Sequence, residues 1–441
     1  MFPSYNSSDT IYALSSGAGR GGVAVIRVSG TKVLDVVKQL SGLENPKPRY
    51  AYFRKLSNQA GEALDNALVL YFKGPHSFTG EDVVEFQVHG GRSVINAVMQ
   101  AISEVKGCRP AEPGEYSRRA VVNGKMDLTE AEGLMDLINA ETELQRAQAY
   151  TQMNGALGQK YEGWRRDLKH HMAYLEAFID FPEEDIPQEK LDRIDTDVRA
   201  LAEKIALHLD DDKAGQKLRD GFQIAIVGRP NAGKSSLINA LTKKDVAIVS
   251  QTAGTTRDVV EAHLDVAGFP VILADTAGLR EGAEEIETEG IRRAVKRAEE
   301  ADLILHVQDG SRYPIEENLP TVLLDRKVIT IWNKVDEMSE IPSGVLCLSA
   351  KTGQGVDALW QLIKDELSNV VSTADGVITR ERYRVALEEC MDSLSRSLYA
   401  PELELKAEDL RMAARALGRI TGRIDTEELL DVIFRDFCIG K

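Results

Sequence analysis

Gly228-Arg-Pro-Asn-Ala-Gly233-Lys234-Ser235 follows an apolar strand-like run, Gln223–Val227, and precedes a helical run, Ser236–Leu241. Glycines at this spacing let backbone N–H groups turn toward phosphate oxygens, and the start of a helix adds favourable potential for an anion. In that setting Lys234 is expected to bridge the β and γ phosphates and Ser235 to ligate Mg2+, with Asn231, Ala232, Gly233 and Ser236 in the same cradle. Asp275-Thr276-Ala277-Gly278 follows a second strand-like run, Val271–Ala274, so a carboxylate can reach the metal and the Gly278 N–H the γ-phosphate. In Asn333-Lys334-Val335-Asp336 the carboxylate can accept from both N1–H and N2–H of guanine. Adenine would leave that carboxylate without donors, at a cost of about 1–3 kcal/mol. Ser349-Ala350-Lys351, after a further strand-like run, can offer a backbone N–H to guanine O6. The four segments predict GTP, not ATP, as the ligand.

Their order and spacing resemble the GTPases of the Ras-like class, with one departure. After Asp275-Thr-Ala-Gly278 stands Leu279, where Ras-like switches carry the glutamine that orients the attacking water. Upstream, Ser250-Gln-Thr252-Ala-Gly-Thr255-Thr256-Arg-Asp258 is rich in hydroxyl and carbonyl oxygens, and Asn231 adds an amide oxygen. Such oxygens around the phosphates can hold a monovalent cation, which would neutralise charge developing in the transition state in the way an arginine finger does. Thr255 and Thr256 are equally placed to ligate Mg2+. Glu281, Glu284, Glu285, Glu287 and Glu289 all compete for the role of water positioner.

Four stretches of chain must position these groups. Residues 1–118 alternate short β-like runs with Gly and Pro (Thr10–Leu14, Val23–Val28, Leu68–Phe72, Val83–Val88) and include a helical run, Val94–Val105, which reads as an α+β domain. Residues 119–218 are helical, with Leu128, Ala131, Leu134, Met135 and Ile138 on one face and Asp127 with Glu130 as a cap. The acidic stretch Asp180–Pro187 reads as a turn that interrupts the helices. Residues 219–379 alternate strands and helices, the mark of a mostly parallel sheet covered by helices. Residues 380–441 return to helical pattern, so the α/β GTPase unit is expected to be inserted into one helical domain. The fold class is multidomain α/β and α+β.

Composition narrows the function. The chain has 441 residues, about three domains by length. Its net charge is −16, from 54 Lys+Arg against 70 Asp+Glu. A broad basic surface for wrapping nucleic acid is therefore excluded, and RNA contact must be local or shared with a partner. The apolar runs Ile224–Val227 and Leu303–Leu305 fall far short of the roughly 18 residues of a membrane span. The N-terminus shows no export or import pattern, and Cys108, Cys347, Cys390 and Cys438 form no CxxC pair, so a reducing cytoplasm is expected.

Several segments carry a closer likeness: Arg20-Gly-Gly-Val, Phe78-Thr-Gly-Glu-Asp82, Gly228-Arg-Pro-Asn-Ala-Gly-Lys-Ser-Ser, Ala253-Gly-Thr-Thr-Arg-Asp, Asp275-Thr-Ala-Gly-Leu-Arg280 and Phe437-Cys438-Ile-Gly-Lys441. Together they resemble the MnmE family of tRNA-modification GTPases, also called TrmE, from residue 10 to the last residue. The resemblance implies a potassium-stimulated GTP hydrolase with dimerising G domains. With the FAD-carrying flavoprotein MnmG (GidA), such a protein adds a carboxymethylaminomethyl or aminomethyl group to C5 of the wobble uridine of tRNA. It also implies a homodimer, a heterotetramer with that partner, and a one-carbon unit from a tetrahydrofolate derivative (5-formyl or methylene) bound by the N-terminal domain. Carried over residue by residue, potassium falls to Asn231, Ser250, Thr252 and Thr255, magnesium to Ser235 and Thr256, and water positioning to Glu287. The folate contacts fall on Arg27, Glu85, Lys125 and Lys441.

The folate residues also make chemical sense alone. A pterin edge offers alternating donors and acceptors suited to a carboxylate such as Glu85, and a glutamyl tail suits Arg or Lys. Cys438 is placed for covalent activation, because uracil C5 becomes nucleophilic once a thiolate adds at C6. Arg411, Arg415, Arg419 and Arg423 recur every fourth residue and predict a stripe on one helix face, available to a phosphate backbone. Gly17–Gly22 spells a dinucleotide motif but lies between two strand-like runs, and the adjacent His170 and His171 point apart on a helix. The alternative class is a regulatory RNA-binding GTPase switch, which needs neither the first 118 residues nor the last four.

Overall fold

The computed structural model describes residues 9–17, 19–181, 188–211, 213–243, 261–275, 295–315, 318–338, 340–370, 377–424, 430, 433–435 and 437–440. The chain divides into two compact units, Met1–Met135 with Gly418–Lys441, and Asp136–Leu417.

The first unit is built on a six-stranded sheet in the order β3-β4-β5-β2-β1-β6. Its strands are β1 (Thr10–Leu14), β2 (Gly21–Ser29), β3 (Ala51–Ser57), β4 (Ala63–Phe72), β5 (Val83–Gly90) and β6 (Cys108–Pro110). All pairings are antiparallel except β1 with β6. Alternation along β2 and β5 sends Ala24, Ile26, Val28, Val84, Phe86 and Val88 into the core shared with the helices Val33–Ser41 and Arg92–Ser103. The period-2 pattern turns Arg27 and Glu85 to the opposite face, where the register sets them side by side. Part of that face is covered by Tyr116, on the helix Glu115–Val122, which packs with Ile11, Ala13 and Phe78. Asp127 and Glu130 cap the next helix reciprocally: Glu130 N–H donates to Asp127 Oδ1 at 2.9 Å and Asp127 N–H to Glu130 Oε2 at 2.7 Å.

The second unit holds a six-stranded sheet in the order β12-β11-β10-β7-β9-β8. Its strands are β7 (Phe222–Val227), β8 (Glu261–Val266), β9 (Phe269–Asp275), β10 (Leu303–Asp309), β11 (Val328–Asn333) and β12 (Leu346–Cys347). Only the β8–β9 pair is antiparallel. β10 reads as a near-continuous apolar run because helices cover both faces of a parallel sheet. The helical part of the unit includes Ala156–Asp180, Gln188–Leu209 and Glu381–Tyr399. Tyr161, fully buried, shares a hydrogen bond with His208 Nε2 at 3.0 Å, and burial lowers His208 to a pKa of about 4. Arg384 donates to Leu209 O at 2.8 Å and pairs with Asp211, which clasps the two crossings between the helices and the α/β sheet. No helix among the described residues is long and apolar enough to cross a membrane.

Candidate functional site

The nucleotide loop lies where β7 ends and the helix Lys234–Thr242 begins. Its glycines are required by close packing. A Cβ on Gly228 would stand 2.2 Å from Val307 O, and one on Gly233, where φ is +93°, would stand 2.1 Å from Asn333 Nδ2. The Lys234 ammonium donates to Gly228 O at 2.7 Å and Arg229 O at 2.9 Å, so its charge is held over the loop with the residue only 8% exposed. Asn231 adopts a left-handed φ of 65° and is exposed, as are Ser235 and Ser236 at the helix start, while Ala232 is buried. Asp275 ends β9 opposite Ile226 on β7, one strand from the loop.

Asn333 joins the phosphate side to the base side. Its Nδ2 donates to Ala232 O at 2.8 Å, its Oδ1 accepts from the Ala350 N–H at 3.0 Å, and it is 2% exposed. One amide thereby fixes two loops that the sequence separates by more than a hundred residues. Lys334 also has a left-handed φ, 64°, and its Nζ donates to Asp309 Oδ2 at 2.6 Å. Burial works against ionisation of Asp309, but hydrogen bonds from Lys334 and Ser311 hold its carboxyl below the usual range. The exposed Asp336 carboxyl is likewise held low, chiefly by a hydrogen bond with the buried Ser349. Ser349 Oγ also accepts from the Thr352 N–H, which shapes the turn that carries Lys351. Ser250, Thr252, Thr255, Thr256, Thr276, Ala277, Gly278 and Glu287 lie outside the described residues, as does Lys441.

A second constellation occupies the first unit. Arg27 donates from Nε to Glu85 Oε1 at 3.0 Å, and its Nη2 lies 2.9 Å from the same oxygen. The guanidinium sits between two rings, 5.5 Å from the Phe78 centroid and 5.7 Å from that of Tyr116. Tyr116 is further tied by donating from its hydroxyl to Arg27 O at 2.7 Å. Behind the rings lies a buried ion cluster. Arg119, 0% exposed, donates to Glu81, Glu115 and Asp9 O, and so fixes the 78–82 loop against the 115–122 helix. Lys125 is exposed, and its aliphatic stem lies against Gly80 of that loop.

The C-terminal segment joins this constellation. Pro113 bridges Ile439, Gly114 N–H donates to Cys438 O at 3.2 Å, and Ser15 Oγ donates to Gly440 O at 2.9 Å. Cys438 is exposed. Phe434 and Phe437 pack with Leu128, Ala131 and Leu430 to anchor the segment. Arg27, Glu85, Lys125 and Cys438 are therefore carried by adjoining elements of one unit. Sequence reasoning missed the two rings and Arg119, although Phe78 stands in a motif it singled out.

The arginine stripe is corrected. The last long helix ends at Thr421, Gly422 has φ +76°, and Arg423 N–H closes a C-terminal turn onto Gly418 O at 2.8 Å. Arg423 thus lies beyond the helix, and Arg411 is paired with Glu176 and Glu408. Among the described residues no His, Cys, Asp and Glu group could hold a metal ion, and His170 and His171 take different partners, Tyr174 and Asp197.

Comparison with known proteins agrees with this geometry. Residues 10–125 match the family model of the GTP-binding protein TrmE N-terminus, and residues 128–438 match that of the MnmE helical domain. The tRNA modification GTPase MnmE of Parvibaculum lavamentivorans is 52% identical over 439 residues, which cover 98% of this chain and 100% of that protein. That of Paramagnetospirillum magneticum is 52% identical over 445 residues, with 98% and 100% covered. The human mitochondrial 5-taurinomethyluridine-tRNA synthase subunit GTPB3 is 47% identical over 466 residues, with 100% and 94% covered.

Proposed function

This chain belongs to the MnmE family of tRNA modification GTPases, and on that premise we propose that GTP hydrolysis in its second unit serves folate-dependent modification of tRNA at its first. The enzyme is a GTP hydrolase acting in tRNA modification. In the finer reading, it works with the flavoprotein MnmG, which supplies FAD, as a homodimer within a heterotetramer. The product is a carboxymethylaminomethyl or aminomethyl group on C5 of the wobble uridine. We assign residues 1–118 to folate binding and dimerisation, 219–379 to the GTPase, and 119–218 with 380–441 to the helical domain that receives it.

The observation that carries this reading is the seating of Phe437–Gly440 on Ser15, Pro113 and Gly114. A nucleotide switch alone has no use for an exposed thiol bonded by its backbone beside an arginine–carboxylate pair. Lys125, within the reach of the same loop, suits the glutamyl tail, with Lys441 beside it in the chain-end motif.

The nucleotide residues fit the ions that the reading requires. Ser235 exposes its hydroxyl in the first turn after Lys234, and Asp275 ends the neighbouring strand, so Ser235 with Thr256 would hold Mg2+. Asn231 turns outward on a left-handed backbone, which suits a potassium ligand together with Ser250, Thr252 and Thr255. When bound, such a cation supplies positive charge near the leaving phosphate oxygens. Lys234 and the loop N–H groups orient the phosphates, and Glu287 would orient the water.

The outer face of the first sheet supports the dimer. Phe53 is 66% exposed, its cross-strand neighbour Leu68 38%, and Val23 61%, so an apolar strip continues from Glu85 toward the sheet edge. A second copy laid on this strip would cover the open side of the folate residues.

The test is GTP turnover in potassium against sodium, paired with calorimetric titration of 5-formyltetrahydrofolate. Potassium should accelerate turnover at least tenfold over sodium, and the folate should bind the nucleotide-free protein. Equal turnover in the two salts would remove the cation, and heat indistinguishable from dilution would remove the folate.

A further inference from the structure

The Arg27–Glu85 pair leaves one donor and one acceptor unused, and they lie next to each other. Both Nε and Nη2 of Arg27 address a single oxygen, Oε1 of Glu85. Among the described residues, neither Nη1 of Arg27 nor Oε2 of Glu85 has a hydrogen-bond partner. The two side chains are 22% and 18% exposed, so these atoms reach the surface of a nearly closed site. The flat faces of the guanidinium are occupied by Phe78 and Tyr116, so a ligand meets Arg27 at its edge and not by stacking on it. A guanidinium is planar and only donates, whereas an ionised carboxylate only accepts.

We propose that Arg27 and Glu85 act together as a donor–acceptor edge that selects a 4-oxopteridine over its 4-amino counterpart. The inference rests on the folate reading above and adds the determinant of its specificity. A 4-oxopteridine presents a carbonyl oxygen, O4, beside an N–H, N3–H. The oxygen faces Arg27 Nη1–H and the N–H faces Glu85 Oε2, so every group is paired. In a 2,4-diaminopteridine the O4 acceptor becomes an amino donor and N3 becomes an acceptor. Donor then meets donor and acceptor meets carboxylate, and groups of low exposure are left unpaired. A site built to pair with a polar edge rejects the analogue with the inverted edge strongly. A carboxylate without the arginine would lack this preference, since it accepts equally from the paired N–H groups on the amidine side of either ring. Arg27 is therefore the specificity-determining residue, and Phe78 and Tyr116 are positioning residues that hold its plane.

The experiment uses the full chain and competition against 5-formyltetrahydrofolate. Tetrahydrofolate and tetrahydroaminopterin, which differ only in oxygen or amino at C4, serve as competitors. In the wild type tetrahydrofolate should compete at least tenfold better. In Arg27→Met the difference should fall below about threefold, with a melting profile like that of the wild type. Should Arg27→Met not fold, Glu85→Gln decides: its carboxamide oxygen still accepts while Arg27 still rejects the amino group, so the preference for oxygen should persist. Equal competition in the wild type, a preference for the 4-amino compound, or loss of the preference in Glu85→Gln overturns the inference and leaves folate binding intact. No binding of 5-formyltetrahydrofolate to the wild type overturns the folate reading itself, and the inference with it.

Discussion

In the second unit, one buried amide, Asn333, pins two backbone loops around the nucleotide; in the first, an arginine and a glutamate meet across neighbouring strands between two rings. The phosphate loop works through main-chain N–H groups, so about eight consecutive residues suffice and glycine spacing alone announces it. The Arg27 site works through side chains brought from Arg27, Phe78, Glu85, Tyr116 and Cys438. It exists only once a sheet, a helix and the C-terminal segment have come together. Backbone-built sites are local and tolerant of their surroundings; side-chain-built ones inherit the precision of the whole unit.

Four measurements probe this contrast. Lys234→Ala removes the cation held over the loop by Gly228 O and Arg229 O, and should lower GTP turnover by about 10²–10³-fold or more, in keeping with loss of one preorganised charge stabiliser. Its 5-formyltetrahydrofolate affinity should stay at the wild-type value; a parallel loss would mean the two sites are not independent. Asn333→Ala leaves Ala232 O and the Ala350 N–H without their shared partner. At about 1–3 kcal/mol for each group left buried and unpaired, GTP affinity should fall by about 10- to 100-fold or more in a nucleotide titration.

Gly440→Ala tests the other side. Gly440 has φ +96°, and a Cβ there would stand 2.2 Å from Leu14 O, so the segment should lift from β1. We expect tRNA modification to drop at least tenfold while GTP turnover changes less than twofold, read by nucleoside analysis and phosphate release. Unchanged modification would show that the seat of Cys438 does not matter.

The smallest effect is in acid. His208 is buried neutral with its pKa lowered from 6.5 to about 4, so the unfolded chain takes up a proton that the folded one refuses. Its contribution is whole above about pH 6.5 and is lost as pH falls toward 4. In the first unit Glu115 is opposed by burial yet held below the usual carboxylate range by Arg109 and Arg119, so its contribution survives until the pH falls below that range. The second unit should therefore soften first on acidification, and His208→Gln should flatten its urea midpoint between pH 6.5 and 4. A first unit that unfolds at higher pH than the second would reverse this order.

The strands that could be read from sequence are mostly interior ones. Thr10–Leu14 is β1 to the residue, and β7, β9, β10 and β11 follow the apolar runs closely. β3, β6 and β8 escaped, and each lies at a sheet edge. β3 carries exposed Arg54 and Lys55, β6 ends in a proline, and β8 mixes Glu261, His263 and Asp265 with its apolar residues. Edge strands shed apolar residues to avoid pairing with other chains, and with them the signal that reveals strands. At the nucleotide site the motif named Asn333, but its role as the bridge to Ala232 is a tertiary fact that no spacing shows. Arg411 and Arg423 failed as a stripe because periodicity ignores where a helix stops and which acids lie on the next helix.

Ser15 receives its hydrogen bond partner 425 residues later in the chain, and this imposes a schedule on the ribosome. At about 5–20 residues per second, β1 waits roughly 20 to 85 seconds for Gly440 to be made. The opening sheet can form during that interval, but its thiol-bearing strap arrives last. A product cut short by a nonsense codon or a stalled ribosome therefore carries a sheet without its sulfur, and translation itself inspects the enzyme for completeness.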